Sequence, residues 1–583
     1  MTRLPKSGTS ALISMMGIAA LCPIVFLTAA PRPAGIVPDA TPAARPAPSA
    51  ASQAQAGMSS DAAVLTALRL ELARSRNMHL GQFPAPYYIS YAVTDEHSYT
   101  AQATLGAIIS HQPQHNRILR AVVRVGNYNQ DSYYGNGQGV ANLIPIDNDA
   151  MAIRRQVWLV TDAAYKNALQ ALTEKGALLR QFVEEHPVDD FSKEQPFHGQ
   201  DPPATIQADP IHWTEIIRNV SALFRSDPKI ESSQAVLNFR AINRTFINSE
   251  GSVTQSGTAG YSITLIGVTQ APDGMQIMRD TGFYVRRIQD LPQEQEIRAA
   301  VTRMMNSLKD LRHAPVVEDD YQGPVLFSPL AAASLITKLV GANIEGRRPK
   351  LGQPARVAGA YSFYYKSRVL PEFLSVVDDP TLQLFKNKAL LGSYAFDDQA
   401  VQARPVTAIN RGNLINYLTD RTPIRDFPHS NGHGRATPGG PSVPYVSNLF
   451  VRPSQSSSFE QLKQKLIAIC KEHEIPYGYL VTQTAPDLSP RVLYRVYAKD
   501  GHQQLVRGAT FSGMDVRALR DDLVAAGNDA EAQNLFLPIP ATVVSPSLLF
   551  DNLEIKRANL TQTKLPDYPP PSIPSSPAGQ QNP

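Results

Sequence analysis

The chain has 583 residues, 43% of them apolar and 18% charged, with a formal net charge of +4. That length exceeds what one compact domain usually needs, so two large lobes are expected. No Lys/Arg-dense run lies behind the basic balance, so a nucleic-acid partner is not expected, and two cysteines, Cys22 and Cys470, exclude a disulfide framework and a thiolate-rich zinc site.

At the N-terminus, Arg3 and Lys6 precede an uncharged, mostly apolar run over 11–30. Residues 1–30 therefore read as a signal peptide, cut after Thr28-Ala29-Ala30, or as a retained membrane anchor. Pro31 disfavours the cut, and Leu21 before Cys22 disfavours a lipoprotein. Each option places the body in the periplasm or another extracytoplasmic space, with membrane contact only through this segment. Residues 31–57, rich in Ala and Pro, read as a linker. A helix is predicted over 61–76, with Leu65, Leu68, Leu70 and Leu72 as apolar contacts. Strands are predicted over 87–94 and 118–125, where Leu119, Ala121, Val123 and Val125 face one way. A helix over 163–185 follows, then strands over 235–248 and 261–269 split by Glu250-Gly251, and a strand over 283–288. Ile297, Val301, Met304, Leu308 and Leu311 recur at helical spacing within 293–312, and Pro315 closes that element.

A second lobe is placed at 316–565, after a mixed first lobe at 58–315. It opens with a helix over 329–340, Ser328 as N-cap, Pro329 in the first turn and Gly341 just past the end. Arg411-Gly412 and Asp500-Gly501 mark hairpins, over 406–418 and 493–507. Leu462, Leu466, Ile469 and Cys470 share one face of a helix over 459–471, which makes Cys470 a buried hydrophobe. Residues 566–583, with Pro569-Pro570-Pro571, read as a disordered tail. The fold class is α+β and two-lobed: a mixed α/β lobe, then a strand-rich antiparallel lobe with covering helices.

Common catalytic signatures are missing. There is no Walker A loop and no Gly-x-Ser-x-Gly elbow, and His473-Glu474 is broken by Pro476 before a zincin helix can form. His111 and His115 bracket Pro113 and read as an exposed loop. Asp426, His429, His433 and Arg435 fall within ten residues of a Gly-rich stretch. Asn431, Gly432, His433, Gly434 and Arg435 are the candidate substrate-contacting residues, since glycines admit a close ligand and Arg can clamp a carboxylate. A metal held by His429, His433 and Asp426 is the other reading of the stretch.

Several segments together resemble the TldD/PmbA family, the metallopeptidase-related proteins once called modulators of DNA gyrase. In the first lobe, Asn248-Ser249-Glu250-Gly251 is similar to that family's "N-S-E-G" turn. In the second, Asp397-Asp398-Gln399-Ala400 resembles its "DD-x-G" stretch, with Ala400 for the usual Gly. Tyr417-Leu418-Thr419-Asp420-Arg421 matches "Y-L-x-D-R", and Ser545-Pro546-Ser547-Leu548-Leu549-Phe550-Asp551 matches "S-P-S-L-L-x-D". Peptidase members of the family carry His-Glu-x-x-x-His before a Glu-Gly step, plus a later Cys. Aligning Glu345-Gly346 with that step puts Thr337, Lys338 and Ala342 at the His, Glu and His positions. The resemblance thus implies no metal and no cofactor here; zinc is expected only if the chain hydrolyses peptides itself. Ser328-Pro329-Leu330-Ala331-Ala332-Ala333-Ser334-Leu335 looks like the metal-free PmbA (TldE) type. That type implies a partner or scaffold subunit beside a metal-bearing TldD-like paralogue, or a homodimer, acting on peptides. Two rivals are a peptidase with a relocated metal site and a non-enzymatic envelope peptide-binding protein.

Overall fold

A computed structural model describes residues 50–181, 186–536 and 539–559. The described residues from 51 onward form one unit. The expected export segment, most of the linker and the tail lie outside the described residues. Among those described, no helix is long and apolar enough to cross a membrane.

The first lobe is built on one seven-stranded sheet. Its strands are β1 (Tyr88–Thr104), β2 (Ala107–Arg124), β3 (Val140–Leu143), β4 (His198–Gln200), β5 (Ile230–Asn248), β6 (Val253–Gln270) and β7 (Gln276–Val285). The order is β3-β2-β1-β5-β6-β4, with β7 on β6; every pairing is antiparallel except β4 with β6. β1 and β2 run about ten residues beyond the predicted strands. Their turn is Leu105-Gly106, both at positive φ, the geometry of a tight hairpin. Leu is not a residue that announces such a turn.

One face of this sheet carries two separate cores. Toward one end, α1 (Ala50–Ser75) and α2 (Ala150–Leu179) cover Tyr91, Val93, Leu119, Ala121 and Val123. Toward the other, α3 (Pro210–Ser221) and α4 (Glu294–His313) cover Tyr99, Ala101, Leu237, Phe239 and Ile263. α1 begins at Ala50 rather than at Asp61, and Leu70 points outward, half exposed. α2 starts thirteen residues before its predicted start, because the Asp149 carboxylate accepts from Ala152 N–H and caps it.

The second lobe packs two sheets face to face. A seven-stranded sheet centres on β8 (Tyr321–Phe327), flanked by Tyr477–Thr484 and Leu548–Arg557. A six-stranded sheet centres on Leu374–Asp378 and Asn448–Pro453. Between them lies the core: Val325, Phe327, Tyr479, Val481 and Phe550 from the first, and Leu374, Val376, Leu449 and Val451 from the second. The helix α5 (Pro329–Ile336) is buried in the same core through Ala331, Ala332, Leu335 and Ile336. On the outer face of the β8 sheet, the Phe459–Glu472 helix packs Leu462, Leu466 and Cys470 against Leu326, Leu480 and Leu549. The side-chain alternation of β8 separates these layers: Val325 and Phe327 point to one core, Leu326 to the other.

Candidate functional site

Two places in the fold gather the residues singled out by sequence. The first is the helix that leaves β8. Ser328 stands at its N-cap position, but its hydroxyl donates to Thr482 O at 3.1 Å instead of capping. α5 passes into a single π turn, Thr337–Gly341, and then into Ala342–Ile344, so Gly341 lies inside a continuous helical path and does not end it. Single π turns inside helices are frequent at functional sites. This one borders a cleft of about 270 Å³ lined by Lys338, Leu339, Leu488, Phe511 and Met514 among others.

The chemistry of that helix excludes a zinc centre of the His-Glu-x-x-x-His kind. Thr337 Oγ1 donates back to Ala333 O at 2.7 Å. Lys338 Nζ donates to Pro486 O at 3.2 Å, and Ala342 offers only a methyl group. Cys470 cannot complete a set either. It is fully buried on the far face of the β8 sheet from α5, and burial pushes its thiol up to about 11. An engaged hydroxyl, a cation and a methyl offer none of the imidazole, carboxylate or thiolate donors that hold and work a zinc-bound water. Glu345 follows, buried; desolvation raises its carboxyl to about 7, although the Arg347 guanidinium 2.9 Å away pulls it down.

The second place is the joint between the lobes. Arg421, fully buried, reaches from the second lobe to Glu250 of the first, with Nη1 to Oε2 at 2.6 Å and Nη2 to Oε1 at 2.8 Å. Its guanidinium also donates to Ser192 O and lies 4.0 Å from the Phe191 ring centroid. Tyr128 OH donates to Glu250 Oε1 at 2.8 Å. The turn that presents Glu250 is fixed by Asn248, whose Oδ1 accepts from the N–H groups of Glu250 and Ser252, and by Gly251 at φ +109°. Nearby, Arg124 pairs with buried Asp131 at 2.6 Å and Lys175 with Asp190 at 2.5 Å. The "N-S-E-G" turn and the "Y-L-x-D-R" run thus meet in one bidentate ion pair.

The loop Asn431, Gly432, His433, Gly434 and Arg435 lies against this joint and is turned inward. The Asn431 amide accepts from Thr419 N–H and donates to Tyr417 O. His433 is fully buried, with Nε2 3.1 Å from Asp378 Oδ1, and Ser447 bonds the same carboxylate. Gly432, at φ +80°, sits where a Cβ would come within 2.4 Å of Gln402 O. Gly434 N–H donates to Asp397 Oδ2 at 2.9 Å; burial raises Asp397 to about 7 against the backbone donors that favour its charge. Arg435 stacks 4.3 Å from the Tyr394 centroid, and its Nη1 is buried without a hydrogen-bond partner. The metal set read from this stretch does not assemble. Asp426 pairs with Arg356, His429 is 67% exposed near Glu194, and His433 faces Asp378.

His111 and His115 are on β2 and not in a loop. Pro113 is tolerated there because β3 pairs only with residues 118–121, which leaves the outer edge of that stretch without a neighbour among the described strands. His115 meets Asp95 and His97 of β1, a grouping that sequence spacing did not suggest. Desolvation, with His115 alongside, holds His97 below the usual imidazole range.

Comparison with known proteins follows this division. Residues 320–557 match the PmbA/TldA metallopeptidase C-terminal domain. A metalloprotease of Methanocaldococcus jannaschii is 26% identical over 249 residues, covering 41% of this chain and 49% of the relative, so the chain spans about half that relative's length. Among solved structures, a protein from Thermotoga maritima described as a modulator of a DNA gyrase aligns with TM-score 0.57 at 14% identity, over 80% of this chain and 96% of that one. TldE from Thermococcus kodakarensis aligns with TM-score 0.56 at 14% identity, over 85% of this chain and 99% of that one. At such identity these structures speak to fold, and the fold is the same two-part α+β arrangement. The second lobe thus matches the PmbA/TldA metallopeptidase C-terminal domain, and the whole chain is similar in fold to these TldE and gyrase-modulator structures.

Proposed function

We propose that this chain is an exported, zinc-free member of its family that serves as a partner or scaffold subunit in peptide processing. The observation that carries the reading is the set of side chains just beyond α5, Thr337 and Lys338 in the π turn and Ala342 after it, with Cys470 sealed behind the β8 sheet. A metal-bearing TldD-like paralogue, or a second copy of this chain bearing on the same substrate, supplies what this chain's helix lacks. The jointed two-lobe fold is retained because it shapes a surface for an extended peptide, which strands accommodate well. Within the loop read as substrate-contacting, Arg435 supports that role best, since its Nη1 has no partner. The apolar run over 11–30 supports export, and with it a periplasmic or other extracytoplasmic place.

The test is co-purification and turnover. The full chain is mixed with a metal-bearing relative encoded in the same genome, and complex formation and hydrolysis of an unfolded protein are followed. Association together with turnover exceeding that of the relative alone supports the reading. Hydrolysis by this chain alone, or no association with any metal-bearing relative or with itself, overturns it.

A further inference from the structure

We propose that Asp95, His97 and His115 form a binding site for a divalent first-row transition-metal ion, remote from the α5 helix. The three side chains project from one face of the β1–β2 hairpin. His97 and His115 are direct cross-strand partners, and Asp95 lies two residues before His97, so strand alternation puts all three on the same side. Asp95 Oδ1 is the common focus: His115 Nε2 lies 2.6 Å from it and His97 Nε2 3.7 Å. The ligand atoms all fall within 4.8 Å of one another. Bonds of roughly 2.1 Å to a tetrahedral ion separate ligand atoms by about 3.4 Å, between the two distances found. Small rotamer adjustments therefore admit an ion without moving the strands.

The surroundings resemble those of a metal site more than those of a plain hydrogen bond. The two imidazoles stack with centroids 3.8 Å apart and planes 20° apart, and both Nε2 atoms lie within 3.7 Å of Asp95 Oδ1. Arg117 grips the other carboxylate oxygen, Oδ2, at 2.7 Å and also donates to Pro145 O, which orients Asp95 and leaves Oδ1 for the ion. Across the sheet, His97 is opposite the methyl of Ala241, and the Asn243 amide opposite Asp95 is engaged with the backbone of Ala204. The site lies in the gap between the two helix-covered cores, and His97 is 52% exposed, so open coordination positions face solvent. Two imidazoles and one carboxylate with open positions suit Zn²⁺, Ni²⁺, Cu²⁺ or Fe²⁺, and are poor for Ca²⁺ or Mg²⁺.

The inference is independent of the partner-subunit reading, because it concerns the first lobe and leaves the α5 helix without metal. The untagged full chain, stripped with chelator, is titrated calorimetrically with Zn²⁺ and, in parallel, with Co²⁺ followed by visible d–d absorption. The expected result is one site per chain that loses affinity at least 100-fold in His97→Ala and in His115→Ala and is unchanged in His429→Ala. Circular dichroism and Tm of the stripped variants, matching the stripped wild type, exclude misfolding as the cause; His97, being half exposed, is the safer substitution. No uptake by the wild type, or uptake that survives both His97→Ala and His115→Ala, overturns the proposal.

Discussion

The joint between the lobes and the helical path that leaves β8 use their polar side chains in opposite ways. At the joint, the buried guanidinium of Arg421 is matched by a carboxylate, carbonyls and an aromatic face. Along the helical path, Thr337, Lys338 and Ala342 offer a hydroxyl bonded to its own helix, an exposed lysine and a methyl. The contrast teaches that the two places carry different energetic stakes: a buried ion pair stripped of its partner threatens folding, whereas an exposed side chain on a helix surface can change at little cost.

Breaking the joint has the largest expected effect. Arg421→Ala leaves the Glu250 carboxylate, only 10% exposed, without its main counter-charge, which costs about 3–5 kcal/mol; urea unfolding that shows less than about 1 kcal/mol would mean the pair is not structural. Next comes Glu345, at the end of the helical path. Its carboxyl is raised to about 7 in the folded chain, above its ordinary value near ~4.3, so the folded state holds the proton more tightly. The stability this lends is complete at acid pH and is lost as pH climbs through about 7. Glu345→Gln should therefore gain on the wild type between pH 5 and pH 8, by on the order of 1–3 kcal/mol, allowing for loss of the Arg347 contact. Parallel Tm curves for the two proteins would refute the raised carboxyl.

Smaller still is Ala400. It sits at φ +62°, in the left-handed region, where the family's pattern has Gly. Ala400→Gly is expected to stabilise by about 0.5–1 kcal/mol, less whatever its buried methyl contributes to packing. A clear loss of stability in thermal unfolding would mean the methyl matters more than the backbone. Lys338→Ala, on the exposed side of the helix, should shift stability by no more than about 0.5 kcal/mol. A larger loss would show that Lys338, through its bond to Pro486 O, has a structural role.

Much of this was readable in the sequence where the signal is local. The helix at 294–313 announced itself by its apolar period, the 501 hairpin by Asp-Gly, and the buried thiol by the helical face around Cys470. Signals failed where geometry is non-local or a turn uses an unusual residue. Leu105 at positive φ hid the true length of the β1–β2 hairpin. His115 was visible, but its sequence neighbour His111 looked like its companion, while the strand register pairs it with His97. Glu250 and Arg421 each stood in a recognisable motif, yet nothing in either spacing says that two segments 171 residues apart share one ion pair. The inward turn of the 430–435 loop was likewise hidden, because Gly-rich composition allows close approach to a ligand and to the chain's own backbone alike.

The most direct test of the central claim is hydrolysis of an unfolded protein substrate by the purified, Zn²⁺-replete full chain, alone and with a metal-bearing relative. The account predicts no turnover by the chain alone, and turnover above that of the relative when the two are combined. Chelator-sensitive turnover by the chain alone would contradict it, whichever of its residues held the metal.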